Sequence, residues 1–97
     1  MSNNSGTNFF KLFRRRGFSE TLEILAECPN FELQQSLFFK RLTNSNSYPN
    51  IFFRVKSDLL KHNLIAYKLD KENNKVIYLT EKGVKIWNRI NEIEKLL

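Results

Sequence analysis

Apolar residues recur at helical spacing along most of this chain, and one stretch changes to strand-like runs. Leu22, Leu25 and Ala26 form the stripe of a first helix. Ser19 is a good N-cap for it, Glu20 and Glu23 suit the positive end of its dipole, and Pro29-Asn30 ends it. A second helix is predicted over Glu32–Leu42, with Leu37, Phe38 and Leu42 inward, followed by turn formers from Thr43 to Ser47. A third begins near Tyr48-Pro49, where proline suits a first helical turn, and runs to about His62. Its Phe52, Val55 and Leu59 share one side, while Asn50, Phe53, Arg54, Ser57 and Lys61 share the other. Asn63 tolerates the left-handed backbone that closes a helix.

Leu64–Leu69 and Lys75–Leu79 are β-branched, aromatic and aliphatic runs around a polar turn, Asp70 to Asn74, and they read as a hairpin. Thr80 is an N-cap candidate for a last helix that continues to Leu97. In that helix Ile86, Ile90, Ile93 and Leu97 recur at spacings of four, three and four, widened by Val84 and Trp87. Before the first helix, Met1 to Asn8 is polar and expected to be a disordered tail. Phe9 to Phe18 is an aromatic and basic arm in which Phe9, Phe10 and Phe13 share one side of a helical turn ahead of Arg14, Arg15 and Arg16. The division expected is therefore a tail (1–8), an arm (9–18), a core (19–79) and a C-terminal helix (80–97).

Ninety-seven residues suit a single domain, and nine Phe, three Tyr and one Trp can fill a small core with large side chains. The formal charge of +6 favours an anionic partner. A lone cysteine, Cys28, excludes an internal disulfide, and the single histidine, His62, lacks the neighbours that a metal site or general base needs. No Gly-rich phosphate loop, metal-ligand spacing or nucleophile–base pair stands out, so an enzyme, a metal and a cofactor are not expected. No apolar run approaches the ~20 residues that cross a bilayer, and the first residues lack a secretory core, so a cytoplasmic, membrane-free protein is expected.

The segment RVKSDLLKHNLI, followed after the hairpin by VIYLTEKG, resembles the recognition helix and wing of MarR-like, PadR-like and HxlR-like transcriptional regulators. Small regulators of this kind are also frequent in archaeal plasmids and viruses. The resemblance covers about Ser19 to Leu97. It implies an α+β, mainly helical fold: a winged helix-turn-helix of three helices, a two-stranded hairpin wing and a long C-terminal helix. Asn63 stands where Gly is usual and keeps the same backbone option.

In such domains the third helix enters the major groove, which makes Tyr48, Asn50, Phe53, Arg54 and Ser57 the candidates for base contacts. Phe53 has an equal alternative, packing against the second helix. Phosphate contacts are expected from Arg14, Arg15 and Arg16 of the arm, from Lys40, Arg41, Ser47 and Lys61, and from Lys68, Lys71 and Lys75 of the wing. The exposed apolar seam of the last helix calls for a homodimer through Ile86, Trp87, Ile90, Ile93 and Leu97, with Phe9, Phe10 and Phe13 of the arm. The alternatives are that the seam packs back on the first helix or the arm, and that the arm's Phe residues pack on the domain with its arginines solvated. Two recognition helices would then lie about 34 Å apart on double-stranded DNA. The leading expectation is a sequence-specific regulator that represses by occlusion. A non-specific architectural or genome-partition protein, and a winged-helix protein–protein module, remain open beside it.

Overall fold

The computed structural model describes residues 9–45 and 47–97; the expected tail, Met1–Asn8, lies outside the described residues, as does Asn46. The elements run α1 (Phe9–Phe13), α2 (Phe18–Ala26), a 3-10 turn (Pro29–Phe31), β1 (Glu32–Gln34), α3 (Gln35–Asn44), α4 (Pro49–Lys61), β2 (Ile65–Leu69), β3 (Lys75–Leu79) and α5 (Glu81–Leu96). Helices α2, α3 and α4 enclose the core, where Phe18, Leu22, Phe38, Phe52, Val55 and Leu59 are fully buried. Phe38 meets Phe52 edge-on with centroids 5.0 Å apart. Helix α5 packs across α2 and β3, and α1 leans on α2 through Phe9 and Phe13, each 6.0 Å from the Phe18 ring.

Two expectations fail at the first helix. Phe18, assigned to the arm, opens α2 and lies in the core. The N-cap is Gly17, not Ser19: its amide donates to Glu20 Oε1 at 2.9 Å, and its φ of 101° is a backbone that only glycine adopts cheaply. Glycine is needed there twice over, because a Cβ would drive into the carbonyl of Ile51 in α4.

The second helix also starts later than its pattern suggests. Glu32, Leu33 and Gln34 are extended and pair antiparallel with Tyr78, Ile77 and Val76, so the sheet has three strands in the order β1-β3-β2. A central β3 would otherwise leave one row of backbone groups unpaired, and that tertiary demand overrides helical propensity over three residues. Asn30 and Phe31, both at left-handed φ (59° and 58°), swing the chain from the 3-10 turn into this strand. Leu37, expected in the core, is exposed; the inward line of α3 passes through Phe38 and Leu42.

The hairpin forms as expected, with Tyr67 opposite Ile77 and Leu69 opposite Lys75, and Asn63 is left-handed at φ 58°. Thr80 caps α5 and fastens it to the end of α4. Its hydroxyl accepts from the Gly83 amide (3.0 Å) and donates to the Asn63 carbonyl (2.5 Å), while its amide donates to the Leu64 carbonyl (3.1 Å). Gly83 is the companion of that arrangement, since a Cβ on it would meet the same Leu64 oxygen. Among the described residues no helix is long and apolar enough to cross a membrane, and no His, Cys, Asp and Glu cluster is suited to a metal ion.

Candidate nucleic-acid interface

Helix α4 divides sharply by side. Ile51, Phe52, Val55 and Leu59 are buried, whereas Asn50, Phe53, Arg54, Ser57 and Lys61 are exposed, as the helical spacing requires. Tyr48 stands exposed at the N-cap position without a side-chain cap, and Pro49 follows it. Phe53 packs against α3, its ring 5.5 Å from Phe39, and still keeps 53% of its surface exposed.

The wing lies beside this helix and is tied to it. Lys56 Nζ sits 5.2 Å from the Tyr67 ring of β2 and 5.9 Å from Phe53, and Lys75 Nζ also sits 5.2 Å from Tyr67. Cations over these rings link α4 to the hairpin without a salt bridge. The Tyr67 hydroxyl is buried with no hydrogen-bond partner among the described residues, and burial raises its pKa. Lys56 and Tyr67 escaped the sequence reading because they lie on the flank of the helix and the inner side of the strand. The signal available was Lys56 at three residues from Phe53, within reach along a helix.

At the wing tip the Asp70 carboxylate accepts from the amides of Glu72 and Asn74, both at 2.9 Å, and from Gln34 Nε2 at 3.1 Å. The Asn74 amide bond is the largest cause of its lowered pKa. The loop is thereby fixed with Lys71 and Lys75 exposed on it. Lys68 behaves differently, because its ammonium is paired with Glu32 at 2.6 Å and stands over Tyr78.

Other phosphate candidates separate in the same way. Lys40, Lys61, Arg14 and Arg16 are exposed, and Arg41 is exposed with Glu27 at 3.8 Å. Ser47 is not on the surface: it is buried inside the turn between α3 and α4, where its amide donates to the Leu42 carbonyl at 2.9 Å. A phosphate role for its side chain is overturned by that burial. Arg15 is turned onto α4, paired with Asp58 and donating to the Arg54 carbonyl at 2.6 Å.

The apolar seam of α5 also divides. Ile90 belongs to the chain's own core, and Ile86 and Trp87 are half-buried against it, so the first half of the stripe is covered within one copy. Ile93, Leu96 and Leu97 remain exposed. Phe9 and Phe13 are half-buried on Phe18, with Phe10 outward.

Three helices about one core, a helix with an open polar face, and a paired hairpin beside it define the architecture. This is a winged helix-turn-helix fold. No protein-family model matches the chain, and no curated protein sequence matches it. Two solved structures share its winged-helix arrangement. A MarR-family transcriptional regulator from Silicibacter pomeroyi superposes with a TM-score of 0.63 at 18% identity, covering 82% of this chain and 51% of its own. A PadR-family transcriptional regulator from Eggerthella lenta DSM 2243 gives 0.59 at 17% identity, covering 90% of this chain and 77% of its own. The chain thus spans about half the length of the Silicibacter pomeroyi winged-helix protein.

Proposed function

We propose that this winged-helix chain is a sequence-specific double-stranded DNA-binding regulator, acting as a homodimer and repressing by occupying its site. The observation that carries the reading is the open face of α4, with Asn50, Phe53, Arg54 and Ser57 exposed beside a wing that presents Lys71 and Lys75. Asn suits a bidentate contact with adenine, Arg with guanine, and the Phe53 ring suits a thymine methyl group. Tyr48 stands at the start of that face. Phosphates are met by Arg14, Arg16, Lys40, Arg41 and Lys61 around it and by the wing lysines. The exposed Ile93, Leu96 and Leu97 support pairing of two copies through the far half of α5. The likeness of fold to two transcriptional regulators agrees with this reading.

The test is selection of bound sequences from random duplexes, followed by affinity measurement across a salt series. A defined motif should emerge, with log affinity falling at about −0.9 per phosphate contacted. Arg54→Ala should lose about 1–3 kcal/mol of discrimination at one base position, whereas Lys71→Ala should weaken all duplexes alike. Failure to enrich any motif, with equal affinity for unrelated duplexes, would refute sequence-specific regulation.

A further inference from the structure

The short stretch between α1 and α2 lies along one flank of α4 and touches it at three successive places. Gly17 approaches the Ile51 carbonyl so closely that a Cβ has no room. Arg15 donates to the Arg54 carbonyl at 2.6 Å with one guanidinium nitrogen and pairs with Asp58 through the other. Residues 51, 54 and 58 run up one line of the helix, and a planar guanidinium suits two acceptors one turn apart in a way that an ammonium does not. At 3.6 residues per turn Asp58 lies roughly 80° round the helix from Asn50, off the open face. The other flank is held by Phe53 against Phe39 and by Lys56 over Tyr67.

We infer that Arg15 is a positioning residue for DNA recognition, fixing the roll of α4 about its own axis and so the direction in which Asn50, Arg54 and Ser57 meet a duplex. The inference rests on the DNA-binding reading above. It separates Arg15 from its neighbours Arg14 and Arg16: all three are exposed, but the Asp58 carboxylate already balances the charge of Arg15. The packing of Phe9 and Phe13 on Phe18 gives the stretch a fixed base from which to hold the helix.

The experiment compares the full chain with Arg15→Ala, Arg15→Lys and Asp58→Ala at a temperature where circular dichroism shows each fully folded. Affinity is read for the selected duplex and for an unrelated one across a salt series. Arg15→Ala should reduce the specific-to-unrelated ratio roughly fivefold, the scale of a partly exposed charged hydrogen-bonded pair, with the salt slope unchanged. Asp58→Ala should lower the ratio too, although it removes a negative charge near DNA, and Arg15→Lys should recover only part of it. A salt slope smaller by about 0.9 in Arg15→Ala, with Asp58→Ala tightening all duplexes, would make Arg15 a phosphate contact and overturn the role. An unchanged ratio in folded variants that still bind would overturn it as well. Absence of binding by the unaltered protein overturns the DNA-binding reading and the role with it, so the two failures are distinct.

Discussion

Replacing Gly83 with alanine sets two effects of known size against each other. Gly83 lies in the first turn of α5, and in an ordinary helix the exchange stabilises by about 1 kcal/mol. Here the new Cβ would meet the Leu64 carbonyl oxygen, far inside the 3.0 Å that real Cβ atoms respect, with Leu79 Cδ2 at 3.2 Å beside it. That oxygen cannot simply give way. It accepts from the Thr80 amide at 3.1 Å, and it belongs to the link between α4 and β2. Relief requires α5 to lift away, loosening Thr80's hold on Asn63 and the packing of Ile90. Overpacking of a fixed site costs about 3 kcal/mol, so the net loss is about 2 kcal/mol. At ~4–8 °C per kcal/mol for a domain of this size, the melting temperature should fall by about 8–16 °C. Thermal unfolding followed by circular dichroism reads this directly, with Lys82→Ala, exposed on the same turn, as a control that should move little. A Gly83→Ala protein that melts at or above the unaltered one would refute the close approach and the account of the Thr80–Gly83 junction built on it.

Three further outcomes are expected. Thr21 Oγ1 is buried in α2 with no hydrogen-bond partner among the described residues, so Thr21→Val should raise stability by about 1 kcal/mol in chemical denaturation, with no change in m-value. Asp70 has a folded pKa below its ordinary value, so its contribution to wing order is complete above the usual carboxylate range and disappears as pH falls through the folded value; the Glu72 and Asn74 amide resonances should report that loss, and Asp70→Asn should abolish its pH dependence. Ile93→Asp, on the exposed half of the α5 stripe, should convert the proposed dimer to a monomer in sedimentation at micromolar concentration while leaving the melting of the monomer fold within about 0.5 kcal/mol; an unaltered chain that already sediments as a monomer would refute the dimer.

Elements with a long internal period are legible in the sequence alone. The thirteen residues of α4 carry their inward and outward sides in plain helical spacing, and the hairpin carries strand formers around a turn. The Thr80 cap was legible because capping is a local matter of hydroxyl and amide. What escaped depends on partners distant in the chain. β1 is too short to show a period of two, and its extended form comes from the free edge of β3. Arg15 reads as one of three equal arginines until Asp58, 43 residues away, is placed against it. Ser47 looks like any turn serine, and only the closure of its amide on Leu42 buries it. The α5 stripe reads as one seam because spacing does not say where α2 ends, so Ile90 and Ile93 look alike in the sequence and differ in the fold.

The three-residue strand β1 also has a bearing on how quickly the chain reaches this state. Its partners Tyr78, Ile77 and Val76 lie about forty-five positions later, whereas β2 and β3 meet across a short turn. The hairpin can therefore close on a microsecond scale, while β1 cannot dock until α3 and α4 have brought the distant segments together. If that ladder forms after the rate-limiting barrier, a substitution at the β1–β3 pairing such as Leu33→Ala speeds unfolding and leaves the folding rate nearly untouched; slower folding would place the ladder within the barrier.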